Sequence, residues 1–157
     1  MNVPGAPLIC ELRADLSEIA RLADAVAAWA ERLQIPQAAT SAMTLMLEEL
    51  VTNGISHGYA ESGTHGRVEV RLESDGMALV AQVSDAAPAF NPLELLAPDT
   101  ASALEERALG GLGVHLVRHL AHSVSYRRID GRNVIRVSRN FVAETSTSAN
   151  DRTSGDP

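Results

Sequence analysis

Glu49 and Asn53 lie one helical turn apart in a segment with helical periodicity, and this pair is the first candidate for chemistry. A carboxylate can accept the proton of an attacking hydroxyl group, and a carboxamide oxygen is a hard ligand that suits magnesium. His57 continues the spacing, which predicts that the three side chains share one helix face. A solvated polar face fits the same spacing, and His57 near the helix end can simply interact with the helix dipole.

Asp85 stands at the end of a predicted strand. A carboxylate in that position beside a pocket can accept a hydrogen bond from an exocyclic amine such as that of adenine. A loop aspartate that caps a turn is the alternative interpretation.

The run Gly110-Gly111-Leu112-Gly113 comes just before a predicted helix. Glycines let the backbone approach phosphate oxygens, and a helix N-terminus supplies amides and a favourable dipole. The run is neither a P-loop, because no Gly-Lys-Ser/Thr follows, nor a dinucleotide fingerprint, because no strand leads into it. A flexible hinge would have the same composition.

Hydrophobic periodicity and turn residues predict the elements that position these groups. Two helices are expected over residues 16–33 and from Pro36 to near Gly58, and a third over 114–120. Strands are expected over 8–13, 68–72, 78–83, 123–129 and 133–138. The segment 86–109 has no clean period and is predicted to be a functional lid. This order predicts an α+β two-layer sandwich, with a mixed, mostly antiparallel sheet covered on one face by about three helices.

The bulk properties restrict the class of protein. The 157 residues suit one domain over 1–142, followed by a polar tail over 143–157 that is predicted to be disordered. A net charge of −7, from 13 basic and 20 acidic residues, argues against direct nucleic-acid binding and against an anionic membrane surface. The single Cys10 excludes an intramolecular disulfide and is expected to be a small buried residue. With no apolar run of spanning length and no signal-peptide pattern, we expect a cytoplasmic protein.

The joint order of these motifs resembles the N, G1 and G2 boxes of the Bergerat ATPases, which include gyrase-type topoisomerases, sensor histidine kinases and mismatch-repair ATPases. The finer resemblance is to the anti-sigma-factor serine kinases of the RsbW and SpoIIAB type, and it covers residues 8–142. The segments that carry it are residues 49–59 as the N box, Phe90-Asn91-Pro92 after Asp85, residues 110–117 as the lid and its helix, and Tyr126-Arg127-Arg128 with Gly131-Arg132-Asn133 as the closing hairpin.

The resemblance implies a role for each residue and a set of ligands and partners. Glu49 would be the general base for an acceptor serine, Asn53 would hold magnesium, and Asp85 with Ala87 would contact adenine. ATP and Mg²⁺ are the implied cofactors. The implied partners are a sigma factor, an anti-anti-sigma protein of the STAS type and a second copy of the chain. The phosphate lid would be shaped by Gly110, Gly111, Leu112 and Gly113.

Two departures from the family pattern keep other functions open. Ala87 replaces the glycine of the G1 box, and Leu109 stands where family members often carry arginine, with Arg107 two residues earlier. They favour a regulatory module that binds nucleotide or partners without kinase activity, whereas the presence of Glu49 and Asn53 argues against it. The ATPase half of a sensor histidine kinase ranks last, because no phospho-accepting helix or membrane span is seen before the first strand.

Overall fold

The computed structural model describes residues 5–95 and 112–141. Residues 96–109 of the predicted lid, with Arg107 and Leu109, therefore lie outside the described residues, as do Gly110, Gly111 and the tail 143–157. The domain limits stay predictions. The helices are α1 (Ile19–Arg32), α2 (Gln37–Asn53) and α3 (Leu112–Leu120), and the strands are β1 (Leu8–Arg13), β2 (Arg67–Ser74), β3 (Ala78–Asp85), β4 (Ser123–Ile129) and β5 (Arg132–Asn140).

The five strands form one sheet in the order β1-β2-β3-β5-β4, and all four pairings are antiparallel. The β4–β5 turn is tight because Asp130 and Gly131 have φ angles of 48° and 75°, the left-handed geometry that an Asp-Gly hairpin favours. In the β2–β3 turn the carboxylate of Asp75 accepts hydrogen bonds from the amides of Met77 and Ala78. Both hairpins predicted from Asp-Gly pairs are therefore present.

The helices pack on one face of the sheet and bury an aliphatic core. Alternate residues of each strand face the helices, as period-two patterning requires. Trp29 of α1 is 2% exposed and donates a hydrogen bond from its indole nitrogen to the carbonyl of Ala6. The α+β two-layer architecture predicted from the sequence is confirmed. The fully buried large side chains are Trp29, Leu12, Leu22, Met43, Met46, Leu47, Leu50, Leu72, Leu79, Val26, Val51 and Val68.

The two long helices differ from the sequence prediction at their ends. The first is divided into a 3₁₀ turn, Leu16–Glu18, and α1. The second does not run as an α-helix to Gly58, because it changes at Asn53 into a π-helical segment, Gly54–Ala60. Tyr59 fixes that segment, since its hydroxyl donates to the carbonyl of Arg67 and accepts from the amide of Ala86.

Cys10 is buried and unpaired, as expected from its place in β1. Within residues 5–95 and 112–141, no helix has the length and apolar character needed to cross a bilayer.

Candidate functional site

Asp85 is the last residue of β3 and lies at the end of the sheet beneath α2. Its side chain is buried, and its Oδ1 accepts a hydrogen bond of 2.8 Å from Nδ2 of Asn133 and one of 3.0 Å from the amide of Ala87. The described hydrogen bonds therefore all reach one carboxylate oxygen. The second oxygen, Oδ2, faces Gly54, where an added Cβ would lie 3.3 Å away.

Burial raises the pKa of Asp85 above its usual range, because the carboxylate loses water that would solvate its charge. The hydrogen bonds from Asn133 and Ala87, and the positive charges of Arg132 and Arg128, oppose this rise without cancelling it. A buried carboxylate with a raised pKa is a common property of functional sites.

Asn53 ends α2 next to this carboxylate. Its side chain is 9% exposed, and its Nδ2 has no hydrogen-bond partner among the described residues. A buried amide donor without a partner costs free energy, so such groups are rare in folded proteins and usually meet a ligand or water. Because Gly54 follows Asn53 and packs on Asp85, the N-box amide and the strand-end carboxylate belong to one site.

Glu49 lies one turn before Asn53 and packs against the first turn of α3. A Cβ added at Gly113 would lie 2.8 Å from the carboxyl carbon of Glu49 and would overlap its Oε2. Only glycine lets α3 come this close to the Glu49 carboxylate. The structure thus brings Glu49 and Gly113 together, and α3 begins at Leu112 in the same place.

Ala87 occupies the position where the family pattern has glycine. Its φ is not among the positive φ angles, so the backbone here does not require glycine. Its methyl group is buried, and Gly58 faces it, since a Cβ added at Gly58 would lie 3.2 Å from the Ala87 Cβ. The missing side chain of Gly58 makes room for the methyl group that Ala87 adds.

His57 lies in the π-helical segment Gly54–Ala60, whereas the spacing argument assumed an α-helix. The Nδ1 atom of His57 lies 2.8 Å from Oε1 of Glu61, and its ring lies 5.5 Å from that of Phe90.

Asn133 was predicted only as part of the closing hairpin and was given no role, although its side chain is buried beside Asp85. Arg128 was also unassigned, and its Nη1 donates to the carbonyl of Ala87 and to Oδ1 of Asn133. The available signal was a polar residue at a position of β5 that faces the core. A single polar residue in a strand does not predict a role in the site unless its contacts are known.

The polar groups of this site match those that an adenine nucleotide with magnesium needs. Asp85 offers an acceptor oxygen, the N-terminus of α3 offers backbone amides, and Asn53 offers a buried amide. No group of three or more His, Cys, Asp or Glu side chains that could hold a metal occurs within the described ranges. Magnesium takes oxygen ligands, so Oδ1 of Asn53 is the atom that would hold it, whereas Nδ2 would donate to an acceptor such as a phosphate oxygen.

Comparison with known proteins agrees with this geometry. A family model described as a histidine kinase-like ATPase domain matches residues 12–139. The serine/threonine-protein kinase BtrW of Bordetella bronchiseptica is 27% identical over 117 residues, which cover 74% of this chain and 78% of BtrW.

Two solved structures share the fold. The RsbU and RsbW domains of Rv1364c from Mycobacterium tuberculosis match with a TM-score of 0.59 and 14% identity over 87% of this chain. This chain spans only 32% of that protein. The SiaB–SiaC complex from Pseudomonas aeruginosa matches with a TM-score of 0.60 and 14% identity, over 83% of this chain and 88% of the matched one. The resemblance to RsbW-type kinases, inferred from the motifs, is confirmed at the level of family and fold.

Proposed function

The chain belongs to the family of histidine kinase-like ATPase domains, and on that basis we propose that it is an anti-sigma factor and protein serine kinase. In this proposal it binds ATP with Mg²⁺ and phosphorylates a serine of an anti-anti-sigma protein of the STAS type. In its other state it sequesters a sigma factor. BtrW, a relative of comparable length, is named a serine/threonine-protein kinase, which supports the assignment to a kinase rather than to an ATPase alone.

One observation carries the proposal: Glu49 faces the site from α2 together with Asn53, whose Nδ2 has no partner among the described residues. Asp85 lies at one end of this site and Gly113 of α3 at the other. Asp85 contacts the chain at Gly54, directly after α2, and Gly113 contacts Glu49 of α2. The helix therefore sets the distance between the adenine-binding end and the phosphate-binding end of the site. Oδ2 of Asp85 would accept a hydrogen bond from the adenine amine. The amides at the start of α3, with Gly110 and Gly111, would approach the phosphates.

The chain's own residues then perform the following steps. Asn53 would hold magnesium, which when bound neutralises phosphate charge. Glu49 would accept the proton of the acceptor serine as its hydroxyl oxygen bonds to the γ-phosphorus and the bond to ADP breaks. Packing of α3 over Glu49 would keep water away from the hydroxyl oxygen of the acceptor serine.

The proposed partners follow from the family rather than from a contact in this structure. A phosphate placed on the partner's serine would add charge to an interface and release the complex, which frees the kinase to bind the sigma factor. We further propose that the protein acts as a homodimer in the cytoplasm.

The test starts with calorimetric titration of the protein with ATP and Mg²⁺. Asn53→Ala should remove the magnesium dependence of binding. Glu49→Gln should keep ATP affinity within about threefold and abolish phosphate transfer to a STAS-type protein, because general base catalysis contributes roughly 10²–10⁴-fold. Glu48→Gln is the matched control, since it removes the neighbouring carboxylate from the same helix and should transfer phosphate normally.

The same experiment separates the proposal from the alternative of a regulatory module without kinase activity. ATP binding with no transfer to any STAS-type protein would favour that module. Absence of ATP binding at millimolar concentration would contradict the nucleotide site itself.

A further inference from the structure

Asn133, the second residue of β5, is 3% exposed and lies between Asp85 and the segment that follows β3. Its Nδ2 donates to Oδ1 of Asp85 at 2.8 Å and to the carbonyl of Pro88 at 3.1 Å. The carbonyl of Ala87 lies slightly further away, at 3.4 Å. A carboxamide nitrogen has two hydrogens, so both are used on acceptors that belong to two different parts of the site.

The oxygen of the same amide is equally occupied. Oδ1 of Asn133 accepts from the hydroxyl of Tyr126 at 2.7 Å, from Nη1 of Arg128 at 2.9 Å and from the amide of Phe90 at 3.1 Å. Every partner on this side is a donor, and every partner on the other side is an acceptor. The chemistry of the partners therefore fixes the orientation of the amide group.

This arrangement determines which oxygen of Asp85 is available. Oδ1 already accepts hydrogen bonds from Asn133 and from the amide of Ala87, and the carboxylate cannot rotate without breaking both. Oδ2 is thereby held toward Gly54, where the absence of a side chain leaves space. An amino group can donate to an oxygen held in this way, whereas a ring carbonyl at the same place would be repelled.

The same side chain also holds the backbone that leaves the sheet. Asn133 contacts the carbonyls of Ala87 and Pro88 and the amide of Phe90, so it spans the first residues after β3. Arg128 adds a hydrogen bond of 2.8 Å to the carbonyl of Ala87. These residues are the first part of the segment 86–109.

We propose that Asn133 is a positioning residue that holds the base-recognising carboxylate of Asp85 and the backbone of residues 87–90 in one arrangement. It favours a base whose amine lies at the ring position facing Oδ2 of Asp85, as in adenine, over guanine, which has a carbonyl at that ring position. This role rests on the proposed nucleotide site. The clamp on residues 87–90 exists without nucleotide and can be tested separately.

The first measurement is residue-level amide hydrogen exchange of the full chain without nucleotide. Asn133→Ala should speed exchange of the Phe90 amide about tenfold, the order expected when one hydrogen bond is lost, and leave the central strand amides unchanged. Asn140→Ala is the matched control, because it removes the same side chain from the exposed end of β5. Asn133→Asp retains an acceptor for the Phe90 amide, so Phe90 should stay protected in that variant.

The second measurement is the affinity for ATP and for GTP. Asn133→Ala should lower ATP affinity about tenfold and reduce the preference for ATP over GTP, because Asp85 can then rotate. Asn133→Asp should also lower ATP affinity about tenfold, since a second carboxylate replaces the donor to Asp85. A loss of stability alone would lower both affinities by the same factor and would not change their ratio.

The outcomes distinguish the two proposals. If the wild-type protein binds no nucleotide, the proposed function fails, and the exchange of Phe90 still decides whether Asn133 is a clamp. If the wild type binds ATP, and Asn133→Ala matches it in the ATP-to-GTP ratio and in Phe90 exchange, the positioning role is overturned.

Discussion

Replacement of Gly113 by alanine is the most direct test of how α3 and Glu49 are arranged. The change adds one methyl group at the first turn of α3, where the Cβ would lie 2.8 Å from the carboxyl carbon of Glu49 and 3.4 Å from its Cγ. Non-bonded carbon atoms prefer separations of about 3.5–4.0 Å. The Glu49 carboxylate must therefore retreat by about 1 Å, whereas its Cγ can stay nearly in place.

The expected effects on stability and on catalysis differ in size. The group that must move is the end of a flexible side chain, so we expect the free energy of unfolding to change by no more than about 1 kcal/mol. The better helix propensity of alanine partly offsets the crowding. A displacement of about 1 Å at a reacting group can lower the rate roughly 100-fold. Gly113→Ala should therefore lower kcat about 100-fold and leave ATP affinity within about threefold.

The assay is phosphate transfer to a STAS-type protein at saturating ATP, together with urea unfolding. His115→Ala, an exposed change on the same helix, is the control and should behave like the wild type. In the background of Glu49→Gln, the Gly113→Ala change should have little further effect, because both changes act on one group. A kcat for Gly113→Ala within twofold of the wild type, with Glu49→Gln inactive, would refute the idea that α3 positions Glu49.

Other predictions concern the adenine end of the site. Asp85→Asn should abolish ATP binding and raise the melting temperature in calorimetry, because the variant keeps an acceptor for Asn133 and removes a carboxylate whose pKa is raised by burial. Since the folded protein holds that proton more tightly than the unfolded chain, stability from Asp85 falls as pH rises between the two pKa values, and Asp85→Asn should remove this dependence. ATP affinity of the wild type, measured by titration at several pH values, should fall as pH drops through the raised pKa. Ala87→Gly should leave ATP affinity within about threefold and cost about 1 kcal/mol in denaturant unfolding, because Gly58 already accommodates the methyl group.

The parts of the fold that follow from local pattern could be predicted from the sequence. The stripe of Leu22, Val26 and Trp29 gives the buried face of α1, and alternation in β2 gives its inward residues. Each Asp-Gly pair gives a hairpin, because the chain there needs residues that tolerate positive φ. The order of these elements was enough to specify the architecture.

The site residues could be predicted only where a local pattern in the sequence marks them. Glu49 and Asn53 are such a pair, and Asp85 is marked by its place at a strand end. Asn133 was not predictable, because its partners lie as far as 48 positions away in the chain. The change from α to π geometry after Asn53 was also missed. In that segment the hydroxyl of Tyr59 contacts backbone groups that lie 8 and 27 positions away in the chain.

Two polar groups of the site are not fully satisfied by the described residues. Nδ2 of Asn53 is buried and has no partner within residues 5–95 and 112–141, and burial raises the pKa of Asp85. Each lowers stability, and nothing in the packing of the core requires either. Both free-energy costs would be relieved if a polar ligand supplied an acceptor to Nδ2 of Asn53 and an amino group to Asp85. A ligand that provides both groups relieves both costs. These features therefore favour a nucleotide with a suitably placed amine over anions that lack one.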